Sequence, residues 1–475
     1  MRALTVRAVL FKGIGDLIPL YALYAVLFAD HGLSTGQISS LLAMWSATAF
    51  LLEVPSGAWA DTVSRRGLLV MSGVLLTAGF ACWTVLPTYL GFAIGFVLWG
   101  TSGALVSGTF EALLYDELVA RNEQRAYPRI IGYARAASEA AIVIAILGAT
   151  PLYIWGGYPL LGWCSVAFAA AHTLVGLSLP SAPKAVSAAA VEDLEDDDDS
   201  AGSAETARAA VGLTGETVGV VARESSVDGD IGLDRARGPH SRRTGDHVGP
   251  DIVEMSASIS TDARPFATYL NMLRTGVGEA IRVRAVRNGV ALGALLLGIT
   301  AFDEYFALLA AEVGVATAVV PVLVGITVVG SLVGSVSAGR TEGMSARTMA
   351  VAVGLGGVLF IGGALVAGLA VRWPGAVYVL AGVGFTAIGA SYGIVYNASV
   401  VAGARLQDAI EGPARATVTS VSGLAAEVVA LAVFGFAAIA TLWLSMSTTV
   451  ALLGASMLAI ALLIPSSLPR RVSDR

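Results

Sequence analysis

The stretch Gly57-Ala-Trp-Ala-Asp61-Thr-Val-Ser-Arg65-Arg66-Gly67 lies between two apolar segments, which run from about 37 to 60 and from about 68 to 86. Each segment has roughly the 20 apolar residues that a helix needs to cross the hydrocarbon core of a bilayer. A short charged loop between two such helices is expected at a membrane surface, because burying its charges in lipid is costly. The stretch therefore predicts a helical membrane protein.

The composition of the whole chain supports this prediction. Of its 475 residues, 56% are hydrophobic and 13% are charged, whereas soluble domains have about 45–50% apolar and about 25% charged residues. So little charge excludes a soluble enzyme, and the formal net charge of -6 argues against a nucleic-acid partner. The sequence contains neither a phosphate-binding loop nor a metal-ligand spacing. We therefore expect no enzymatic activity, no bound cofactor and no metal.

Twelve apolar segments are long enough to span a membrane. The first six lie near 8–30, 37–60, 68–86, 89–116, 130–150 and 153–178, and the second six near 287–311, 316–338, 347–370, 375–400, 414–439 and 442–464. Arginine is concentrated in every second loop, including Arg65, Arg121, Arg340 and Arg405, and in the tail 467–475. Because basic loops stay in the cytoplasm, we expect a multi-pass protein with both termini cytoplasmic.

The two sets of six segments, 1–180 and 287–466, are joined by a long connection of different composition. Residues 181–262 are rich in small and acidic residues and include the run Asp196–Asp199, which predicts a disordered acidic cytoplasmic linker. In 263–286, apolar residues recur at helical spacing beside several arginines, as in an amphipathic helix at the membrane interface. The connection therefore separates two membrane bundles.

Two similar stretches indicate that the bundles are related. The fourth segment contains Gly108-Thr-Phe-Glu111-Ala-Leu-Leu-Tyr115-Asp116, and the tenth contains Gly389-Ala-Ser-Tyr392-Gly-Ile-Val-Tyr396-Asn397. Glycine and tyrosine coincide, and Asp116 corresponds to Asn397. A pair of repeats joined by a long loop is typical of transporters that bind substrate at the repeat interface. The expected fold is all-α and integral to the membrane, with twelve transmembrane helices in two pseudo-symmetric six-helix bundles.

The 57–67 loop resembles the signature loop of the major facilitator superfamily, which the residues Gly57, Asp61, Arg65 and Arg66 match. Thr62 and Ser64 depart from the usual arginine and glycine, so one charge contact and a tight turn of the family's loop are not expected here. The preceding Glu53-Val-Pro55 and the Tyr115-Asp116 pair resemble a bacterial efflux-like branch. The resemblance implies a central cavity lined by the first and seventh spans, and a loop whose contacts close the cytoplasmic side.

Ionisable residues at membrane depth are functional candidates because they are costly to bury. A carboxylate in a dry environment favours its protonated form and can carry a proton across the membrane. For proton coupling and the substrate cavity we select Asp16, Tyr21, Tyr24, Asp303, Glu304, Tyr305, Tyr392, Asn397 and Glu427. Gating or structural roles are predicted for Glu53, Glu111, Asp116, Arg135 and Glu139, of which the last two are four residues apart and share a helix face.

Aromatic residues give a hint about the substrate. Tyrosines and phenylalanines in the cavity-lining spans, together with a few carboxylates, suit an amphipathic and even cationic compound. The tryptophans are expected near span ends as interface anchors, namely Trp83, Trp99, Trp155, Trp163, Trp373 and Trp443.

Together these features predict a monomeric secondary transporter in a prokaryotic cytoplasmic membrane. It would export a small organic, drug-like compound in exchange for protons, with the proton gradient as its energy source and lipid as its surroundings. The glycine- and proline-rich signature of many drug–proton antiporters is not clear in the fifth span, so import of a nutrient by symport or facilitation stays open. A non-transporting receptor or scaffold that signals through the acidic linker is the alternative of another class.

Overall fold

A computed structural model describes residues 1–184, 283–410 and 415–469, and all regular structure in these ranges is helical. The predicted linker from 185 onward, residues 263–282 of the predicted interfacial helix and tail residues 470–475 lie outside the described residues. Residues 284–286, which were assigned to the end of that interfacial helix, instead open the seventh span.

The N-terminal half supplies six spans. They are formed by Arg2–Gly15 with Tyr24–Asp30, by Thr35–Thr62, by Arg65–Val85, by Tyr89–Val106 with Thr109–Ala120, and by the two arms of Tyr127–Ser178. The last helix is interrupted at Gly157, whose φ of 61° and ψ of -156° are not helical, so its two arms are the fifth and sixth spans. Glycine suits this corner because it adopts positive φ without a steric penalty.

The C-terminal half repeats the arrangement. Its helices are Arg284–Gly298 with Phe306–Glu312, Val320–Thr341, Ala346–Gly368, Val377–Ala409, Arg415–Ala440 and Met446–Ser467. In the described part of the chain, ten helices are long and apolar enough to cross a membrane, or eleven with Thr35–Thr62, which bends by 46° at Pro55. The two arms on either side of Gly157 correspond to the fifth and sixth predicted spans.

Short loops end in hydroxyl side chains that begin the next helix. Each accepts a hydrogen bond from a backbone N–H in the first turn, which would otherwise lack a partner. These N-cap residues are Ser34, Ser64, Thr88, Ser345 and Ser445. At Ser34 the Gln37 side chain also accepts a hydrogen bond from the Ser34 backbone N–H, which completes a capping box. The sequence therefore fixes where the helices start after the tight loops.

The first and seventh spans are broken in the same region. The first changes from α-helix to the 3-10 segment Pro19–Ala22, and the seventh changes to the 3-10 segment Ile299–Tyr305. Both spans end at a glycine with positive φ, 86° at Gly32 and 87° at Gly314. Discontinuous helices of this kind expose backbone polar groups near the membrane centre, where transporters build their binding sites.

Within the described residues, the hydrogen bonds between the two halves lie near the middle of the bundle and toward one of its ends. We call the end that holds the loops 31–34, 86–88 and 313–316 the far end, and the end that holds residues 63–64, 121–126 and 342–345 the basic end. Toward the far end, Thr150 donates to the carbonyl of Ala318 at 2.8 Å across the halves. Toward the basic end, Tyr133 of the fifth span is 54% exposed, and a Cβ added at Gly132 or Gly423 would meet nothing within 4 Å. The described residues therefore close the far end, whereas these positions toward the basic end are uncovered.

Candidate functional site

Two adjacent acids lie in the broken part of the seventh span and face different partners. Asp303 accepts a hydrogen bond of 2.6 Å from the Tyr392 hydroxyl, which belongs to the same half. Glu304 accepts a hydrogen bond from the hydroxyl of Tyr24, which belongs to the first span and hence to the other half. The 3-10 geometry places these neighbours on different sides of the chain. One acid is thus held inside its own half, and the other joins the two halves.

Two more hydrogen bonds cross between the halves near these acids. The Ser39 and Tyr305 hydroxyls lie 2.8 Å apart, and the Ser46 hydroxyl donates to the carboxylate of Glu427. Ser39 and Ser46 are on the second span, and Glu427 is on the eleventh. Together with the Tyr24–Glu304 contact, they form a polar seam on the closed side of the molecule.

A cavity of about 410 Å³ opens inside the N-terminal half. Asp16, at the break of the first span, lines it, as do Tyr21 from the same span and Glu111 from the fourth. The Ser138 hydroxyl donates to the Asp16 carboxylate, and Tyr21 stacks on Trp99 with ring centroids 5.0 Å apart. Three residues from our prediction therefore share one cavity.

Lys12 and His172 complete the polar wall of this cavity. The Lys12 ammonium is 3.3 Å from Oε1 of Glu111 and lies over the Phe110 ring, 5.0 Å from its centroid. His172 Nδ1 is 2.9 Å from the Phe11 carbonyl oxygen, so this nitrogen donates to it. Glu111 thus has a cation as its partner, and the cavity carries charges of both signs.

The predicted gating loop is organised around Arg65, whose side chain is 4% exposed. Its guanidinium contacts Oδ2 of Asp116 at 2.6 Å, Oδ1 of Asp61 at 3.3 Å and the carbonyls of Ala60 and Ala112. Asp61 is thereby bound within its own half. Burial, and secondarily the positive charge of Arg65, lowers the pKa of Lys184, which follows the sixth span and lies near this cluster.

Arg66 and Gly57, the other two residues that match the loop motif, make fewer contacts than Arg65. Arg66 donates to the carbonyl of Leu177 at 2.6 Å, which ties the loop to the end of the sixth span. A Cβ placed on Gly57 would meet no atom within 4 Å, so the described conformation gives no steric reason for glycine there.

Asn397 occupies the place of Asp116 in the second half and binds neutral groups. Its amide nitrogen donates to the Gly334 carbonyl at 3.1 Å and to the Ser337 hydroxyl at 3.0 Å, and its oxygen accepts from Thr341 at 2.9 Å. Arg405 binds the carbonyls of Glu342 and Met344. Asn397 therefore fastens the tenth span to the eighth without a charge.

The remaining predicted gating or structural residues lie away from the cavity wall. Glu53 accepts a hydrogen bond of 2.9 Å from Ser107, which connects the second span to the fourth. Arg135 and Glu139 are exposed on the fifth span. Among the described residues no group of three or more histidines, cysteines or acids could hold a metal ion.

Sequence reasoning missed three residues of the N-terminal cavity, namely Lys12, Trp99 and His172. Trp99 was expected to be an interface anchor, and so was Trp83; both expectations were wrong, because Trp99 lines the cavity and Trp83 is 1% exposed. The central position of Trp99 in Tyr89–Ala120 was the signal that could have found it. The tryptophans that are 54–77% exposed do fit an interface role, namely Trp155, Trp163, Trp373 and Trp443.

Comparison with known proteins places this architecture in a family. Solved structures of the same fold include the nucleoside transporter NupG, with a TM-score of 0.64 and 10% identity over 98% of this chain and 99% of that chain. An auto inhibited POT family peptide transporter has a TM-score of 0.61 and 12% identity, covering 98% and 96% of the two chains. A D-xylose-proton symporter has a TM-score of 0.54 and 15% identity, with the same coverage.

At identities of 10–15%, these structures show only that the fold is shared. No curated protein sequence matches the chain. The model of the Major Facilitator Superfamily matches residues 8–409, which include the loop that first suggested this family. The chain belongs to the Major Facilitator Superfamily, and it is a multi-pass membrane transporter of small molecules.

Proposed function

We propose that this transporter exchanges protons for a small amphipathic organic compound, which it exports by alternating access across a prokaryotic cytoplasmic membrane. The basic end would face the cytoplasm, with both termini on that side, and the protein would act as a monomer. The described conformation would then be the one that receives substrate from inside the cell.

The hydrogen bond between Tyr24 and Glu304 carries this proposal. It joins the two halves on the closed side, and a charged carboxylate accepts a hydrogen bond more strongly than a neutral acid does. Proton binding to Glu304 therefore changes the free energy of closing the far end. A proton at this position and the conformation of the two halves are coupled through one contact, which is what secondary transport requires.

Asp303 has a supporting role in this scheme. Its hydrogen bond with Tyr392 lies within the C-terminal half, and Tyr392 also stacks edge-on against Tyr396 at 4.9 Å. Protonation of Asp303 would change the packing of the seventh span on the tenth. We propose that Asp303 receives or releases the proton, while Glu304 transmits its presence to the other half.

Transport by purified protein in liposomes tests this proposal, with ethidium as fluorescent reference in a panel of organic compounds. In the native protein, an imposed pH gradient should drive substrate against the proton flow. Glu304→Gln and Asp303→Asn should lose gradient-driven accumulation but keep substrate exchange at equal pH, because exchange needs no net proton movement. The matched control is Glu123→Gln, an exposed glutamate in the loop before the fifth span. Unchanged accumulation by both acid variants would contradict the proposal.

Import is the second candidate, because the solved structures of the same fold include a nucleoside transporter and a D-xylose-proton symporter. The same experiment distinguishes the two directions: an importer would move substrate with the proton. Deletion of residues 185–260 distinguishes a transporter from a non-transporting receptor or scaffold. A transporter keeps its flux without this segment, whereas a signalling protein loses its output.

A further inference from the structure

The N-terminal cavity carries more negative than positive charge. The carboxylates of Asp16 and Glu111 face it together with the ammonium of Lys12. With both acids ionised and His172 neutral, its wall has one excess negative charge. Charge in a site of low dielectric must be balanced. A ligand with a single positive charge would supply that balance.

One acceptor atom in this wall lacks a donor. Oε1 of Glu111 pairs with Lys12 at 3.3 Å, whereas Oε2 is inaccessible to solvent and has no hydrogen-bond partner in the described structure. A buried carboxylate oxygen without a donor is costly, and such atoms in native proteins call for an explanation. A positive charge in the cavity would stabilise this carboxylate through space, without a hydrogen bond to Oε2.

Another part of the wall is aromatic. Tyr21 and Trp99 both line the cavity and are stacked, with an angle of 14° between their rings. Trp45 extends the aromatic surface, with its ring 5.0 Å from that of Trp99. Electron-rich ring faces attract cations and stack on planar apolar groups.

From these three observations we infer that the cavity binds an organic monocation that carries an aromatic ring. Its ammonium lies near Glu111 and Asp16, and its ring lies against Tyr21 and Trp99. The volume of about 410 Å³ is within the range of roughly 300–1,000 Å³ for small-molecule sites. This inference rests on the proposed function, for which it names the substrate class.

Calorimetric titration of the purified protein with three probes of nearly equal shape tests the charge requirement. Benzyltrimethylammonium is an aromatic cation, neopentylbenzene is its neutral isostere, and benzenesulfonate is an aromatic anion. The cation should bind most tightly. Preference for the anion would mean that Lys12 is the recognition group, and equal or absent binding of all three would also overturn the inference.

Variants of the wall test the position of the ligand. Glu111→Gln should weaken cation binding by about tenfold, because it removes a negative charge beside the bound cation. Trp99→Leu should weaken it by about threefold to tenfold through loss of the cation–π contact. The control Glu123→Gln removes a carboxylate of the same kind from an exposed loop and should leave binding unchanged.

Lys12→Gln gives the most specific result. It removes the cation that competes for Glu111, so binding of benzyltrimethylammonium should become stronger, by roughly threefold. Structural damage would weaken binding instead, so a weaker complex in a variant that keeps the native melting temperature contradicts the inference. If the cation binds as expected but no pH gradient drives its transport, the cavity assignment stands and the proposed function fails.

Discussion

The two halves place the same pair of chemical groups, an acid and a tyrosine, in opposite order. Tyr21 in the first span and Asp303 in the seventh occupy equivalent positions, because each precedes the glycine that ends its span by the same number of residues. Glu111 in the fourth span and Tyr392 in the tenth are also equivalent, because each follows the glycine of the repeated stretch by the same number of residues. In the second half the pair is closed by a hydrogen bond of 2.6 Å. In the first half both groups line an open cavity.

The duplicated halves therefore share their backbone structure but differ in the side chains that it positions. Both halves keep a broken first helix and a positive-φ glycine, so their scaffolds are equivalent. The acid of the first half has Lys12 as its partner, whereas that of the second half has a tyrosine. On the proposals above, the first half recognises the ligand and the second half handles the proton.

The largest expected effect on stability is at the basic end, where Asp116 corresponds to Asn397. Arg65→Leu removes the buried cation that Asp116 contacts at 2.6 Å. Loss of one partner of a buried ion pair costs about 3–5 kcal/mol. Asn397→Ala loses hydrogen bonds to neutral groups, which contribute about 0.5–1.5 kcal/mol each. Thermal and denaturant unfolding in detergent should therefore rank Arg65→Leu as the more damaging change.

A double variant checks the cause of that effect. Asp116→Asn added to Arg65→Leu removes the buried negative charge as well, so it should recover part of the lost unfolding free energy. Equal costs of Arg65→Leu and Asn397→Ala, or no recovery in the double variant, would show that the charge at Asp116 does not distinguish the two halves.

Much of the fold is readable in the sequence, because hydropathy determines which segments cross the membrane. The spans, the repeat and the loop at 57–67 all follow from local composition and spacing. Asp303 and Glu304 were selected because charge in an apolar segment is itself a signal. The break after Asp16 was missed, although Pro19 stands at the start of the irregular segment.

The residues that complete the site depend on distances between helices, which no local pattern contains. Lys12 looked like one of several basic residues near the N-terminus, and its approach to Glu111 needs the first and fourth spans to be packed together. Trp99 and Trp83 looked like interface anchors, because amphipathic aromatic residues in an apolar helix are common at membrane surfaces. Their burial depends on which face of each helix turns inward.

A smaller effect on stability is expected from glycine substitutions in the fourth and tenth spans. A Cβ on Gly393 would lie 2.5 Å from the carbonyl oxygen of Gly330, whereas a Cβ on Gly103 would meet nothing within 4 Å. Overpacking of this kind costs about 1–3 kcal/mol, but alanine in an open helical position is favourable by up to about 1 kcal/mol. Melting temperatures should fall for Gly393→Ala and should stay equal or rise for Gly103→Ala. A fall of similar size in both would mean that Gly103 is packed as closely as Gly393.

The smallest expected effect on stability concerns the signature loop, which has no aligned aspartate in the second half. The Asp61 side chain is 39% exposed and 3.3 Å from Arg65, and exposed ion pairs contribute about 0.2–1 kcal/mol. Asp61→Asn should therefore leave the melting temperature nearly unchanged. Transport should nevertheless slow while substrate binding persists, because we propose that this carboxylate holds the basic end closed in the opposite conformation. Glu342→Gln, in the corresponding loop of the second half, serves as the control and should transport normally. If Asp61→Asn transports as fast as the native protein, the loop charges serve topology alone, and the halves do not differ in how the basic end closes.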